Sequence, residues 1–309
     1  MLNIKSDHTF GLKSMGVHTA MCEWCMKHGA GGKWYLNARN YSNELAESMN
    51  LQAYLEEQWR NFEQVYIRKI IGISSIGLGY KLRMPIIGRS IRWSVERMIH
   101  SESPKRNPIR ADGHFGQAIP IEEAKLIIMN LAAEPIIKNY CMCRMMQKGI
   151  KDACCINFGL LSSVIEKLPR FIPENMKVRI TREEAVKALE EQNKKGRVAT
   201  VWFQPVPYIN AICSCEVPQC GGLRLRMDYG LHTVYKAEYV AEVDPDLCQA
   251  CKNCVTRCQF GAIRFSPTLD RVIIEPTKCF GCGLCRDVCR YNAIKLLPRD
   301  EVPAAKGMY

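Results

Sequence analysis

The chain has 309 residues, 47% of them apolar, enough to bury a sizeable core in two or three domains, which excludes a disordered or fibrous chain. It carries a net charge of +12 and 17 cysteines. No run of about eighteen apolar residues occurs, so a spanning helix is not expected. The opening MLNIKSDHTFGLKSMG lacks a charged-then-apolar leader, which predicts a cytoplasmic, reducing location where thiols stay free for metal.

Residues 1–110 read as a helical, basic docking region. HTAMCEWCMKH sets His18, Cys22 and Cys25 on one helix face at i, i+4 and i+7, with His28 beyond. This group is a metal-site candidate, and it competes with a sulfur-bearing helix face packed in the core. No histidine directly follows Cys25, so the pattern is not a c-type haem site. GAGGKW (29–34) lacks the spacing and the Ser or Thr of a phosphate loop. NELAESMNLQAYLEEQWRNFEQVYIRKII carries apolar residues at helical spacing. From Gln64 to Arg106, nine Lys and Arg face two Glu, and the segment includes IIGISSIGLGY and Trp93 in GRSIRWSVERMI. Such a segment suits a partner protein or the periphery of a membrane, or is a plain solvated surface. Nucleic acid is disfavoured because no recognition motif is present.

Pro104 and Pro108 mark a linker into a cysteine-rich α/β region over 111–240. IPIEEAKLIIMNLAAE (119–134) echoes ITREEAVKALEEQNKK (180–195) at I-x-x-E-E-A, and both read as helices. Thr181 with Glu184 forms a capping-box pattern, and Pro120 suits a first turn. An extended stretch and a Cys-x-Cys follow each helix, CMC at 141–143 and CSC at 213–215. This pseudo-repeat predicts that two cysteine loops meet. Seven cysteines lie here, and three readings compete for them: an additional iron–sulfur cluster, structural zinc, or buried or redox thiols. Cys-x-Cys is not the usual zinc knuckle, which favours the cluster. The best four ligands are Cys141, Cys143, Cys213 and Cys215 from the echoing loops, with Cys154, Cys155 and Cys220 as alternates.

Residues 241–309 form a cysteine-dense module with a short tail. CQACKNCVTRC and CFGCGLCRDVC each read C-x2-C-x2-C-x3-C, the bacterial ferredoxin spacing. Two-residue gaps let one tight turn aim three sulfurs at one cube, and the fourth cysteine then points at the neighbouring cluster. The expected sets are Cys248, Cys251, Cys254 and Cys289 for one [4Fe-4S] cluster, and Cys279, Cys282, Cys285 and Cys258 for the other. The flanks VDPDLC and IEPTKC, FGAI and YNAI fit as well.

On these residues the module resembles the bacterial-type two-[4Fe-4S] ferredoxin family. The resemblance implies a pseudo-twofold α+β module that passes single electrons between its two clusters. The family's usual proline after the fourth cysteine is replaced by Gln259 and Arg290. The segments ending in CMCR, CCINFG and CSCEVPQCGGLR resemble a cysteine-rich region of uncharacterised iron–sulfur proteins of anaerobes, over 110–235.

The fold expected is therefore α+β, in three parts, with a helical N-terminal region, the α/β middle region and the ferredoxin module. The function expected is electron transfer, as a subunit or dedicated partner of an anaerobic redox enzyme complex. Two alternatives stay open: a reductase whose middle metal is catalytic, and a redox-sensing or assembly protein with a labile cluster.

Overall fold

In this computed structural model the described residues are 32–60, 84–91, 93–94, 116–167, 177–203, 207–230 and 233–309. The group His18, Cys22, Cys25 and His28 lies outside them, as does most of the basic segment.

The largest element is a seven-stranded sheet. Its strands are β1 (Gly116–Ala118), β2 (Ile136–Tyr140), β3 (Ala153–Phe158), β4 (Lys177–Arg179), β5 (Val198–Phe203), β6 (Ile209–Cys215) and β7 (Val234–Tyr235). The order is β4-β2-β3-β6-β5-β1-β7, antiparallel throughout except for the β1–β7 edge. Nine labelled helices accompany the strands among the described residues. They are α1 (Asn43–Ser48), α2 (Leu51–Arg60), α3 (Ile121–Leu126), α4 (Met142–Lys148), α5 (Leu160–Lys167), α6 (Arg182–Lys194), α7 (Gly221–Tyr229), α8 (Asn253–Arg257) and α9 (Leu284–Asp287).

The order of strands makes sense as two interleaved units. Each runs strand, helix, strand, strand: β1-α3-β2-β3 and β4-α6-β5-β6. Each unit lends its first strand to the other, since β1 pairs with β5 and β4 pairs with β2. The stretch VATVWFQPVPYINAI is not one extended segment but two strands. β5 and β6 pair antiparallel, with Trp202 opposite Ala211 and Val198 opposite Cys215.

The helices form where local chemistry allows. Thr181 Oγ1 accepts from the Glu184 N–H at 3.2 Å, and Glu184 Oε2 accepts from the Thr181 N–H at 2.8 Å, closing the capping box of α6. Ala185, Ala188, Leu189 and Gln192 then line one buried stripe. α3 starts after Pro120 and ends in a π turn, Ile127–Leu131, which keeps Ile127 and Ile128 buried. Both helices pack on one face of the sheet over Ile136, Ile156, Phe158, Val201 and Ile212. The other face is covered by α1, α2 and α5 through Leu45, Leu51, Leu55, Leu161 and Ile165.

The C-terminal module pairs β8 (Tyr239–Val243) with β11 (Ile294–Pro298), and β9 (Ile263–Ser266) with β10 (Arg271–Ile274). It docks on the acidic pair of α3. Arg286 donates twice to Glu122, at 2.7 and 2.8 Å. Buried Glu123 accepts from Lys33 Nζ at 2.7 Å, Tyr35 OH at 2.6 Å and Tyr239 OH at 2.7 Å. The echoed motif has thus diverged, because Glu184 caps its own helix while Glu122 and Glu123 hold another part of the chain.

Glu123→Ala should strand three donors at once and destabilise the fold by about 3 kcal/mol. Denaturant unfolding checks this, and a change within 0.5 kcal/mol would contradict the role given to Glu123.

Candidate metal centres

The two ferredoxin-like loops have matching backbones. Ala250 and Lys252 have φ of 52° and 62°, and Gly281 and Gly283 have φ of 68° and 81°. These are equivalent positions in C-x-x-C-x-x-C, and left-handed turns there curl the chain around each set of thiols. Gly281 is under the tighter constraint. A Cβ there would lie 2.1 Å from the Tyr239 carbonyl oxygen.

The thiols sort into two crossed sets. Cys254 lies within the electrostatic reach of Cys251, Cys289 and Cys248, and burial first, then these neighbours, push its thiol up to about 11. Cys282 faces Cys279 and Cys258, and burial first pushes it up to about 12. Cys285 faces Cys282, Cys279 and Cys258. Backbone N–H groups point at sulfur: Ala241 and Gly281 donate to Cys279 Sγ at 3.4 Å, and Ala293 donates to Cys289 Sγ at 3.3 Å. Such donors favour thiolate over thiol, which is what a cluster ligand needs.

These thiols and their N–H donors fit iron–sulfur chemistry. Residues 247–294 match the family model described as a 4Fe-4S dicluster domain. No curated protein matches the chain.

Outside the dicluster domain, the other seven described cysteines all gather at one end of the large sheet. Antiparallel pairing explains this. The end of β2, the start of β3 and the end of β6 are neighbours, and Cys155 sits opposite Cys213. The two Cys-x-Cys loops do meet there, but not as equivalents. CMC follows the second strand of one unit, β2, and CSC ends the third strand of the other, β6.

The thiols touch in a closed chain. Cys141 lies against Cys143, Cys154 and Cys155, the sulfurs of the last two within 4.8 Å of its own. Cys143 reaches Cys220, whose sulfur lies 3.3 Å from that of Cys215. Cys215 reaches Cys213, and Cys213 returns to Cys155. Hydrogen bonds from Cys143, then Cys154 and Cys155, hold Cys141 far below the ordinary thiol range. Contact with Cys141, then with Cys155, then burial push Cys154 far above it. Hydrogen bonds from Cys213, then Cys220, lower Cys215 to about 6 as well, so the Cys141 and Cys215 thiolates are stabilised only because their neighbours keep their protons. Without a cation, seven thiolates could not share this space.

A buried cation stands beside the ring. Arg144 donates from Nη1 to Cys154 Sγ at 2.8 Å and from Nη2 to the Ser214 carbonyl at 3.0 Å, and it pairs with Asp152 and Glu216 at 3.3 and 3.2 Å. Arg197 bridges the same two carboxylates. Thr200 Oγ1 lies 3.2 Å from Cys215 Sγ.

The ring and the dicluster domain share one apolar cluster. Cys215, Cys220, Phe260 and Phe280 are buried in it, with Cys213, Cys258 and Cys282 packed against it. The rings of Phe260 and Phe280 stack at 3.9 Å. Gln259 clamps the junction, accepting from the Val217 N–H at 2.6 Å and donating to the Gly196 carbonyl. A proline at position 259 could form neither bond. Sequence reading marked Gln259 only as a departure, because its partners lie over forty residues away.

Gly281→Ala should loosen the second loop, through both its φ and the clash with Tyr239, at a cost of about 3 kcal/mol. Iron retention on gel filtration should fall for this variant and hold for Ala250→Gly. Equal retention in the two would contradict the constraint.

Proposed function

We propose that this protein is an iron–sulfur electron carrier in which a C-terminal pair of [4Fe-4S] clusters is joined to a further centre on the middle thiols. Cys248, Cys251, Cys254 and Cys289 would hold one cluster, and Cys279, Cys282, Cys285 and Cys258 the other. A [4Fe-4S] cluster supplies one-electron storage and outer-sphere transfer when bound. The chain fixes spacing, excludes water and donates N–H groups to sulfur. The single observation that carries the reading is the shared apolar cluster, which sets Cys258 and Cys282 against Cys213, Cys215 and Cys220. Those last three, with Cys143, are the ligands we assign to an additional cluster.

The reading extends to partners. Among the described residues no helix is long and apolar enough to cross a membrane. Ile86, Ile87 and Trp93 are exposed on a helical stretch within the basic segment, which supports docking on a redox enzyme complex in the cytoplasm or at a membrane's periphery.

Anaerobically prepared protein should contain about twelve cluster irons and about twelve acid-labile sulfides per chain. Cys220→Ser should reduce both by about four and leave the dicluster signals intact. About eight of each in the unaltered chain would remove the additional cluster, and none would remove the whole reading.

A further inference from the structure

Three of the seven middle thiols form a mutually close trio. The sulfurs of Cys141, Cys154 and Cys155 all lie within 4.8 Å of one another. No other group of three metal-ligating side chains among the described residues is this tight, and that includes both sets in the dicluster domain. The comparison is internal to the molecule. A cubane's terminal sulfurs each cap a different iron, so its ligands do not gather as a trio: the C-terminal thiols form none, and among the other four middle thiols the 3.3 Å contact of Cys215 with Cys220 is a pair, not a trio. A single tetrahedral ion draws its sulfurs much closer. With metal–sulfur bonds of about 2.3 Å, the edge of the tetrahedron is about 3.8 Å.

We infer that Cys141, Cys154 and Cys155 bind one divalent, thiophilic metal ion, zinc or iron(II), and do not belong to a cluster. The inference rests on the reading above only for the use of the other four thiols. Cys143, Cys213, Cys215 and Cys220 complete a four-cysteine set, so the three that remain neither lack a partner for a second cubane nor stand idle. Seven divides as four and three.

The surroundings fit such an ion. Three thiolates around a divalent ion leave one negative charge, and the buried guanidinium of Arg144 meets it at Cys154 Sγ, 2.8 Å away. Cys154 and Cys155 are adjacent at the start of β3, and Cys141 caps the start of α4, so rigid elements fix all three. With three protein ligands, the fourth position is left to water or to a small thiophilic ligand. That is the coordination of a reactive site, whereas structural zinc usually has four protein ligands.

The test uses the full chain, prepared without oxygen and with its clusters in place. The expected result is one metal ion per chain beyond the cubane iron, seen as one zinc or as one iron in excess of acid-labile sulfide. Absorption-edge spectroscopy of that ion should show three sulfur neighbours at about 2.3 Å and one lighter atom. The double variant Cys154→Ser, Cys155→Ser should lose this ion with sulfide unchanged. Iron and sulfide falling together by about four in that variant would place the trio in a cluster and overturn the inference. So would equal iron and sulfide with no zinc in the unaltered chain, a measurement that does not depend on the variant folding. A sulfide count of about eight, with the extra ion still present, would instead remove the additional cluster and leave this site standing.

Discussion

Cys155 lies directly across from Cys213 in the pairing of β3 with β6, and this contact organises the rest of the molecule. It joins the two interleaved units at the centre of the sheet. It also decides which end of the sheet is rich in sulfur. A slip of one residue would reverse the facing of every side chain in β6, turning Cys213 and Cys215 under α3 and α6 and Ile212 to the opposite face. As built, Ile212 packs under α3 and α6 while Cys215 joins the cluster shared with Phe260 and Phe280. The hydrophobic pattern that holds the sheet in register therefore also positions the middle thiols.

Crowding of thiols carries an electrostatic cost that shapes everything around it. The ring is bordered by Arg144 and Arg197, and these are balanced by Asp152 and Glu216. A buried charged network of this kind is costly for stability alone, and replacing it with apolar residues is often neutral or better. Its presence beside seven thiols is explained if the ring carries negative charge when loaded. The positive charge near the dicluster domain is less free than the sequence suggests. Arg286 is tied to Glu122 and Asp287, Lys278 pairs with Glu275, and Lys252 lies over the ring of Phe265.

Local patterns were legible in the sequence. The spacing of the eight C-terminal cysteines identified the dicluster domain, and Thr181 and Glu184 marked the start of α6. The echo at I-x-x-E-E-A pointed to two similar units, and the units are interleaved in the sheet. What could not be read was long-range. Nothing local shows that VATVWFQPVPYINAI folds back on itself, so the equivalence of the two Cys-x-Cys loops was misplaced. Cys154 and Cys155 are adjacent at the start of β3, and only the fold shows that both thiols come against Cys141. Gln259, Glu123 and Arg144 act through partners 42, 116 and 70 residues away, beyond any motif window.

The central claim is that the second C-terminal thiol set and the middle ring sit close enough to exchange electrons through the Phe260 and Phe280 cluster. Electron paramagnetic resonance of the fully reduced chain tests it most directly. Magnetic coupling between the cluster on Cys258, Cys279, Cys282 and Cys285 and a centre on the middle thiols should split and broaden the signals, and the splitting should vanish in a Cys215→Ser, Cys220→Ser chain. A spectrum from the unaltered chain that is fully described by the dicluster pair alone would contradict the account.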